Sequence, residues 1–130
     1  MPTAVAPFTL DSFDQSPAPE ALGPGYGRVA ITKTFAGDIA GTSVVEMISA
    51  SNDDGPLAYV ALERFDVTLH GRHGTFAMQH CANNNGGVPH LDLVVVQGSG
   101  TDDLEGIRGA GSIDIADSGA HTLTLDYEIG

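Results

Sequence analysis

The chain has 130 residues, 42% of them hydrophobic, a size at which one domain with a substantial core is the simplest arrangement. Its formal net charge is -12 with only five basic residues, which argues against nucleic acid and anionic membranes as partners, because both are bound through Lys and Arg. Seventeen glycines, seven prolines and many Val, Ile and Thr residues indicate short strands and turns rather than helices.

The single cysteine, Cys81, excludes a disulfide within the chain and fits a reducing compartment. The first ten residues contain no basic region ahead of their apolar residues, so we expect no signal peptide. No apolar run approaches the roughly 20 residues of a membrane span. We therefore expect a soluble cytoplasmic protein.

The first strand is predicted over 5–14, and a Pro- and Gly-rich loop follows it at 15–27. Further alternating segments predict strands at 28–36, 42–50, 57–69, 74–82, 89–97, 110–117 and 121–129. The "NNNGG" segment breaks the chain at 83–87, and residues 98–109 support about one helical turn, with Asp102 and Glu105 at capping-box spacing. Eight strands without a long helix predict one all-β domain over 1–130, either a closed antiparallel barrel or a two-sheet sandwich.

The hairpin at 57–82 carries two ionisable residues within apolar stripes. A two-residue turn at Gly71-Arg72, with Gly first, is typical of a type II′ turn and would set Glu63 directly opposite His80. Because side chains alternate between faces, the acid and the histidine would share the apolar face of this hairpin. His70 and His73 belong to the turn, so their rings are predicted to point to solvent.

The hairpin at 28–50 repeats this pattern, with Lys33 and Glu46 interrupting two apolar stripes. A turn at Gly37-Asp38 would place Val29 opposite Glu46. If all the stripes face one interior, that interior holds Lys33, Glu46, Glu63 and His80. Buried charges require partners, and their shifted pKa values suit proton transfer. The alternatives are a solvated face or a static internal ion network.

The other motifs give weaker evidence about function. The five histidines include no HxH, HExxH or Cys–His spacing, so no metal site is predicted. The "GSGTDDLEG" segment lacks the GK[ST] ending of a phosphate loop and is acidic, which argues against a nucleotide. No serine or cysteine is marked as an activated nucleophile.

Four segments resemble the successive signatures of a small bacterial family of uncharacterised proteins: "TKTFAGDIAGTS", "YVALERFDVTLHGRHGTFAMQH", "GSGTDDLEGIRGAGS" and "TLDYEI". The fold of that family is similar to that of allene oxide cyclase. The resemblance therefore implies a single eight-stranded antiparallel β-barrel, lipocalin-like in appearance. Related barrels include cofactor-free cyclases that assemble as oligomers, which implies no cofactor and a homo-oligomer, either a dimer or a trimer. The polar positions that match the family are Lys33, Glu46, Glu63, Arg64, Gln79 and His80.

These observations lead to an expected function. We expect a cofactor-independent isomerase or cyclase that acts on a mostly apolar small molecule inside the barrel. Glu63 and His80 would be the acid/base pair, with Glu46 and Lys33 tuning charge or orienting a carbonyl. The expected substrate-binding residues are Tyr59, Phe65, Phe76, Met78, Arg64 and Gln79.

Two alternatives stay open. The first is a non-catalytic carrier or sensor barrel for a hydrophobic ligand. The second is a barrel filled with side chains that acts only through oligomer contacts.

Overall fold

The computed structural model describes residues 1–85 and 87–130, which form eight antiparallel strands in one closed ring. Each strand pairs with the next in sequence, and the last pairs with the first. The strands are β1 (Thr3–Pro17), β2 (Tyr26–Phe35), β3 (Ile39–Asn52), β4 (Gly55–Leu69), β5 (Arg72–Asn85), β6 (Val88–Val95), β7 (Ile107–Ile115) and β8 (His121–Ile129). The all-β, eight-stranded prediction is confirmed, and the closed ring rules out the two-sheet sandwich.

Two short 3-10 helices complete the described chain, at Glu20–Leu22 and Asp102–Leu104. The second takes the place of the helical turn predicted at 98–109, but no side chain caps its N-terminus, so the expected capping box is absent there. The predicted break at 83–87 includes Gly86, which lies outside the described residues. Neither helix has the length or apolar character needed to cross a membrane.

The interior of the ring is built by period-two alternation along each strand. Its inward apolar side chains form two clusters, and burying each of the larger ones contributes about 1.5–3 kcal/mol. The larger cluster lies at the end with the β2–β3 and β4–β5 turns and includes Phe35, Phe65, Phe76, Met78 and Leu104. The smaller one lies toward the other end and consists of Val29, Ile31, Val45 and Ala61, with Met47 and Tyr59 packed against them.

The β2–β3 connection differs from its prediction by one residue. The last residue of β2, Phe35, pairs with Gly41 of β3, so five residues (36–40) lie between the last paired positions, with Gly37 at a φ of 87°. Val29 therefore pairs with Met47 instead of Glu46. Because a one-residue shift exchanges the two faces of a strand, Glu46 lies on the outside of the ring, and its predicted interior position is wrong.

The β4–β5 connection also differs, but by a shift that preserves the faces. The two loop residues are His70 and Gly71, with φ values of 46° and 80°, as in a type I′ turn. Glu63 is directly opposite Met78, and His80 is opposite Ala61, so the predicted direct pairing of Glu63 with His80 is wrong. Their register differs from the prediction by two residues, and both side chains still point inward.

Candidate functional site

A layer of four buried polar side chains separates the two apolar clusters. Lys33, Ser43, Glu63 and His80 are 6%, 1%, 1% and 3% exposed. They occupy inward positions on β2, β3, β4 and β5, four strands that pair in sequence. Along β4, for example, Glu63 lies between Ala61 of the smaller cluster and Phe65 of the larger one. The polar layer is thus fixed by the same alternation that builds the core.

Glu63 is the centre of this layer. Its Oε1 accepts hydrogen bonds from Lys33 Nζ at 3.2 Å and from His80 Nε2 at 2.8 Å. Its Oε2 accepts a third from Ser43 Oγ at 2.5 Å. Within the described residues, every buried side-chain nitrogen and oxygen has a hydrogen-bond partner. The carboxylate therefore has the partners that a buried charge requires.

These contacts set the ionisation state of Glu63. Burial by itself raises the pKa of its carboxyl group, but other contacts outweigh that effect. They are the hydrogen bond from His80, the charge of Lys33 and the hydrogen bond from Ser43. The pKa of Glu63 consequently lies below its ordinary value, and the group is a carboxylate at neutral pH.

The charge on Glu63 determines the tautomer of a neutral His80 ring. A carboxylate only accepts hydrogen bonds, so the nitrogen facing it, Nε2, carries the proton. The other nitrogen, Nδ1, keeps its lone pair and lies 3.4 Å from the hydroxyl of Tyr59. Burial raises the pKa of the Tyr59 phenol, as does the nearby charge of Glu63, so the phenol retains its proton. A hydrogen-bonded chain therefore runs from Glu63 through His80 to Tyr59, which is partly exposed.

The structure brings together three of the four residues predicted as the acid/base group. Lys33, Glu63 and His80 are in direct contact. Glu46 lies on the outer surface and forms an ion pair there with Arg28 at 3.0 Å. Its side chain is 52% exposed, so it does not contact the buried layer.

The six residues expected to contact substrate fall into three groups. Tyr59 is at the polar layer, as described above. Phe65, Phe76 and Met78 are at most 1% exposed and belong to the larger apolar cluster, where the two phenyl rings stack with centroids 4.7 Å apart. Arg64 and Gln79 are exposed on the outer surface. These six residues therefore do not form the single binding surface that was expected inside the ring.

Ser43 is the member of the polar layer that sequence reasoning missed. The predicted stripe on β3 used the even-numbered positions Val44, Glu46 and Ile48, whereas Ser43, Val45 and Met47 face inward. The error came from the length of the β2–β3 connection: five residues lie between the paired positions Phe35 and Gly41, whereas the predicted turn at Gly37-Asp38 leaves an even number.

The two turn histidines differ from each other. The side chain of His73 is 67% exposed, in agreement with the predicted orientation to solvent. His70 is also exposed, but less so at 36%, because its Nδ1 lies 2.5 Å from the hydroxyl of the buried Tyr127. Across the described part of the chain, no three His, Cys, Asp or Glu side chains are grouped so that they could hold a metal ion.

Comparison with known proteins identifies a family, but no activity is assigned to that family. A family described as "Protein of unknown function (DUF3224)" matches residues 4–127. The crystal structure of a DUF3224-family protein of unknown function from Shewanella oneidensis MR-1 is similar, with 31% identity and a TM-score of 0.86, over 100% of this chain and 98% of that one. Among curated proteins, none matches this chain. The chain therefore belongs to the DUF3224 family.

Proposed function

We propose that the protein is a cofactor-independent isomerase or cyclase in which His80 Nδ1 transfers a proton of the substrate. The observation that carries this proposal is the contact of the buried Glu63 carboxylate with His80 Nε2 at 2.8 Å. This contact holds the ring in one orientation and keeps Nδ1 available as a base on the side of Tyr59.

The chemistry requires only residues of this chain. Nδ1 of His80 removes a proton from the substrate, and the resulting imidazolium is stabilised by the charge of Glu63. The substrate displaces the Tyr59 hydroxyl from Nδ1, and the phenol then donates its hydrogen bond to the oxygen on which negative charge develops. The imidazolium then returns its proton to another atom of the same substrate, so the reaction is a rearrangement without net loss or gain of atoms. Lys33 offsets the charge of Glu63 throughout.

The surroundings of the polar layer favour a mostly apolar substrate at the Tyr59 end of the ring. Val29, Ile31, Val45 and Ala61 lie on this side of the layer, and Met47 and Tyr59 are partly exposed. The opposite side is filled by buried aromatic and aliphatic side chains. The substrate in this proposal therefore contacts Tyr59 and Met47 instead of Phe65, Phe76 and Met78. The resemblance to allene oxide cyclase, also part of this proposal, adds the precedent of a cofactor-free barrel.

A second candidate is a carrier or sensor that binds the same apolar molecule without changing it. The observation that favours it is that the side chains of the polar layer satisfy one another's hydrogen bonds, as in a static internal network.

Incubation of the protein with fractionated bacterial metabolites, followed by liquid chromatography and mass spectrometry, distinguishes the two functions. The isomerase is expected to convert a compound into a product of equal mass and different retention time. His80→Ala should lower this rate by about 100-fold or more, the usual contribution of a general base. Tyr59→Phe should lower it as well, because the phenol is the hydrogen-bond donor.

His73→Ala is the matched control, since it removes an exposed histidine from the same strand. Equal turnover by His80→Ala and His73→Ala would contradict the assigned role of His80. A compound that binds and is recovered unchanged would favour the carrier.

A further inference from the structure

An apolar region lies on the outer surface of the ring, on the side opposite to the polar layer's side chains. We call it the β3–β5 outer face, and its aligned outward positions are Val44, Glu46, Ile48, Val60, Leu62, Arg64, Ala77, Gln79 and Cys81. Val44, Val60 and Leu62 are 54%, 57% and 58% exposed, which is unusual for aliphatic side chains brought together on adjacent strands. The register places Ile48 beside Val60 and Val60 beside Cys81, so the apolar surface is continuous across three strands.

The β3–β5 outer face has two depressions separated by a ridge. Two shallow depressions of about 480 Å³ and about 460 Å³ lie on it, and Leu62 lines both. The first is also lined by Ile48 and Val60, and the second by Val44 and Arg64. Leu62 therefore stands between two hollows of a size that accepts a leucine side chain. A ridge beside a hollow fits a second copy of itself after a two-fold rotation.

The charge of this face differs from that of the whole molecule. Two of the chain's five basic residues, Arg28 and Arg64, border the depressions, against one surface acid, Glu46. The whole chain carries a net charge of -12, so two copies repel each other over most of their surfaces. Arg64 makes no ion pair within the part of the chain that the structure describes, whereas Glu46 is paired with Arg28. An exposed arginine among aliphatic side chains is typical of a protein–protein interface.

We propose that the β3–β5 outer face is the two-fold interface of a homodimer. Leu62 of each copy packs into a depression beside the partner's Leu62, and Arg64 of each copy lies opposite the partner's Glu46. The second copy is favoured as the occupant because the face offers both halves of the contact: a ridge with its hollow, and an unpaired cation with an acid. This interface uses outward side chains and does not depend on the proposed activity of His80.

Sedimentation equilibrium of the purified chain over a range of concentrations tests the proposal. We expect a species of twice the 13.4 kDa chain mass. Leu62→Asp should raise the dimer dissociation constant by about 30-fold or more, the effect of removing a central interface residue. Ile115→Asp is the control, because Ile115 is 66% exposed on β7 and lies outside the face. Circular dichroism checks that both variants fold.

Charge reversal identifies the occupant. Arg64→Glu and Glu46→Arg should each weaken the homodimer, because each places like charges opposite one another at two symmetric contacts. An equimolar mixture of the two variants should recover the dimer, since both contacts then join opposite charges. Three outcomes would overturn the proposal: a monomeric wild-type chain, equal effects of Leu62→Asp and Ile115→Asp on dimerisation, or no recovery of the dimer on mixing. Either of the last two would mean that the face binds a different partner or a small ligand.

Discussion

At the scale of single residues, Glu63 is where burial and charge are balanced most closely. Its carboxylate is 1% exposed and depends on three donors, so its ionisation is linked to folding. Its folded-state pKa lies below the ordinary value of 4.5. The stability it contributes is therefore fully present above about pH 4.5 and is lost as the pH falls through the lowered folded-state pKa.

Glu63→Gln is expected to destabilise the protein at pH 7 by about 3–5 kcal/mol, the usual cost of breaking a buried ion pair. The carboxamide would also place an N–H group against Lys33, His80 or Ser43, all of which are donors. The stability of the variant should also fall less than that of the wild type when the pH is lowered. Urea unfolding at pH 7 and near pH 4 measures both effects.

Glu46→Gln is the control for this experiment, because Glu46 is exposed and its contact with Arg28 is in solvent. An equal loss of stability in Glu46→Gln and Glu63→Gln would show that the buried layer has no special energetic role.

At the scale of elements, the segment after β6 closes one end of the ring by packing on β5. Thr101 N donates to Thr75 O, and Leu104 in the 3-10 helix is 0% exposed. Gly74 permits this approach, since a Cβ there would lie 2.2 Å from the backbone oxygen of Thr101. Two backbones are in close contact here and neither has room to move, which explains why Gly74 lies within a strand.

Gly74→Ala should therefore destabilise the protein by about 1–3 kcal/mol or more through overpacking. Gly27→Ala in β2 is the matched control, because its added Cβ would meet only Ser49 Oγ at 3.4 Å. We expect that control to remain within about 0.5 kcal/mol of the wild type. The comparison uses chemical unfolding of both variants, and equal stabilities would contradict the role given to the Gly74 contact.

The elements also show how much the sequence determined. Alternation identified the strands and the inward positions of Lys33, Glu63 and His80, because a register error of two residues on β4–β5 preserves the faces. On β2–β3 the error was one residue, which reversed the faces and exchanged Ser43 for Glu46. Turn length therefore limited the prediction of the site more than strand assignment did.

The sequence pattern could not predict whether the interior of the ring is a cavity or a packed core, and the reason is different. An eight-stranded ring is just wide enough for its side chains to occupy it, so the same inward stripe fits a cavity or a core. Phe65 and Phe76 were expected to contact substrate, and they stack on each other instead. Only the relative positions of strands across the ring decide between these two outcomes.

At the scale of the whole molecule, the net charge of -12 on 130 residues makes electrostatic self-repulsion a general destabilising effect. Salt shortens the Debye length from about 30 Å at 0.01 M to about 8 Å at 0.15 M, which screens repulsion between distant carboxylates. We expect the melting temperature to rise with NaCl over this range, by roughly 4 °C for each kcal/mol of repulsion removed.

Differential scanning calorimetry at fixed pH and protein concentration measures this effect, with sucrose at equal osmolality as the uncharged control. A melting temperature that falls with salt would mean that surface ion pairs such as Arg108 with Glu128 outweigh the repulsion.

The order of the strands around the ring has a consequence for the way the chain folds. Seven of the eight pairings join neighbours in sequence, and such hairpins form in about 1–10 μs. The pairing of β1 with β8 is different, because it brings together residues as distant as Thr3 and Asp126. Closing so long a loop costs more conformational entropy, so the β1–β8 seam should form last. Lys33, Ser43, Glu63 and His80 all lie on β2–β5, and their network can therefore assemble before the ring closes.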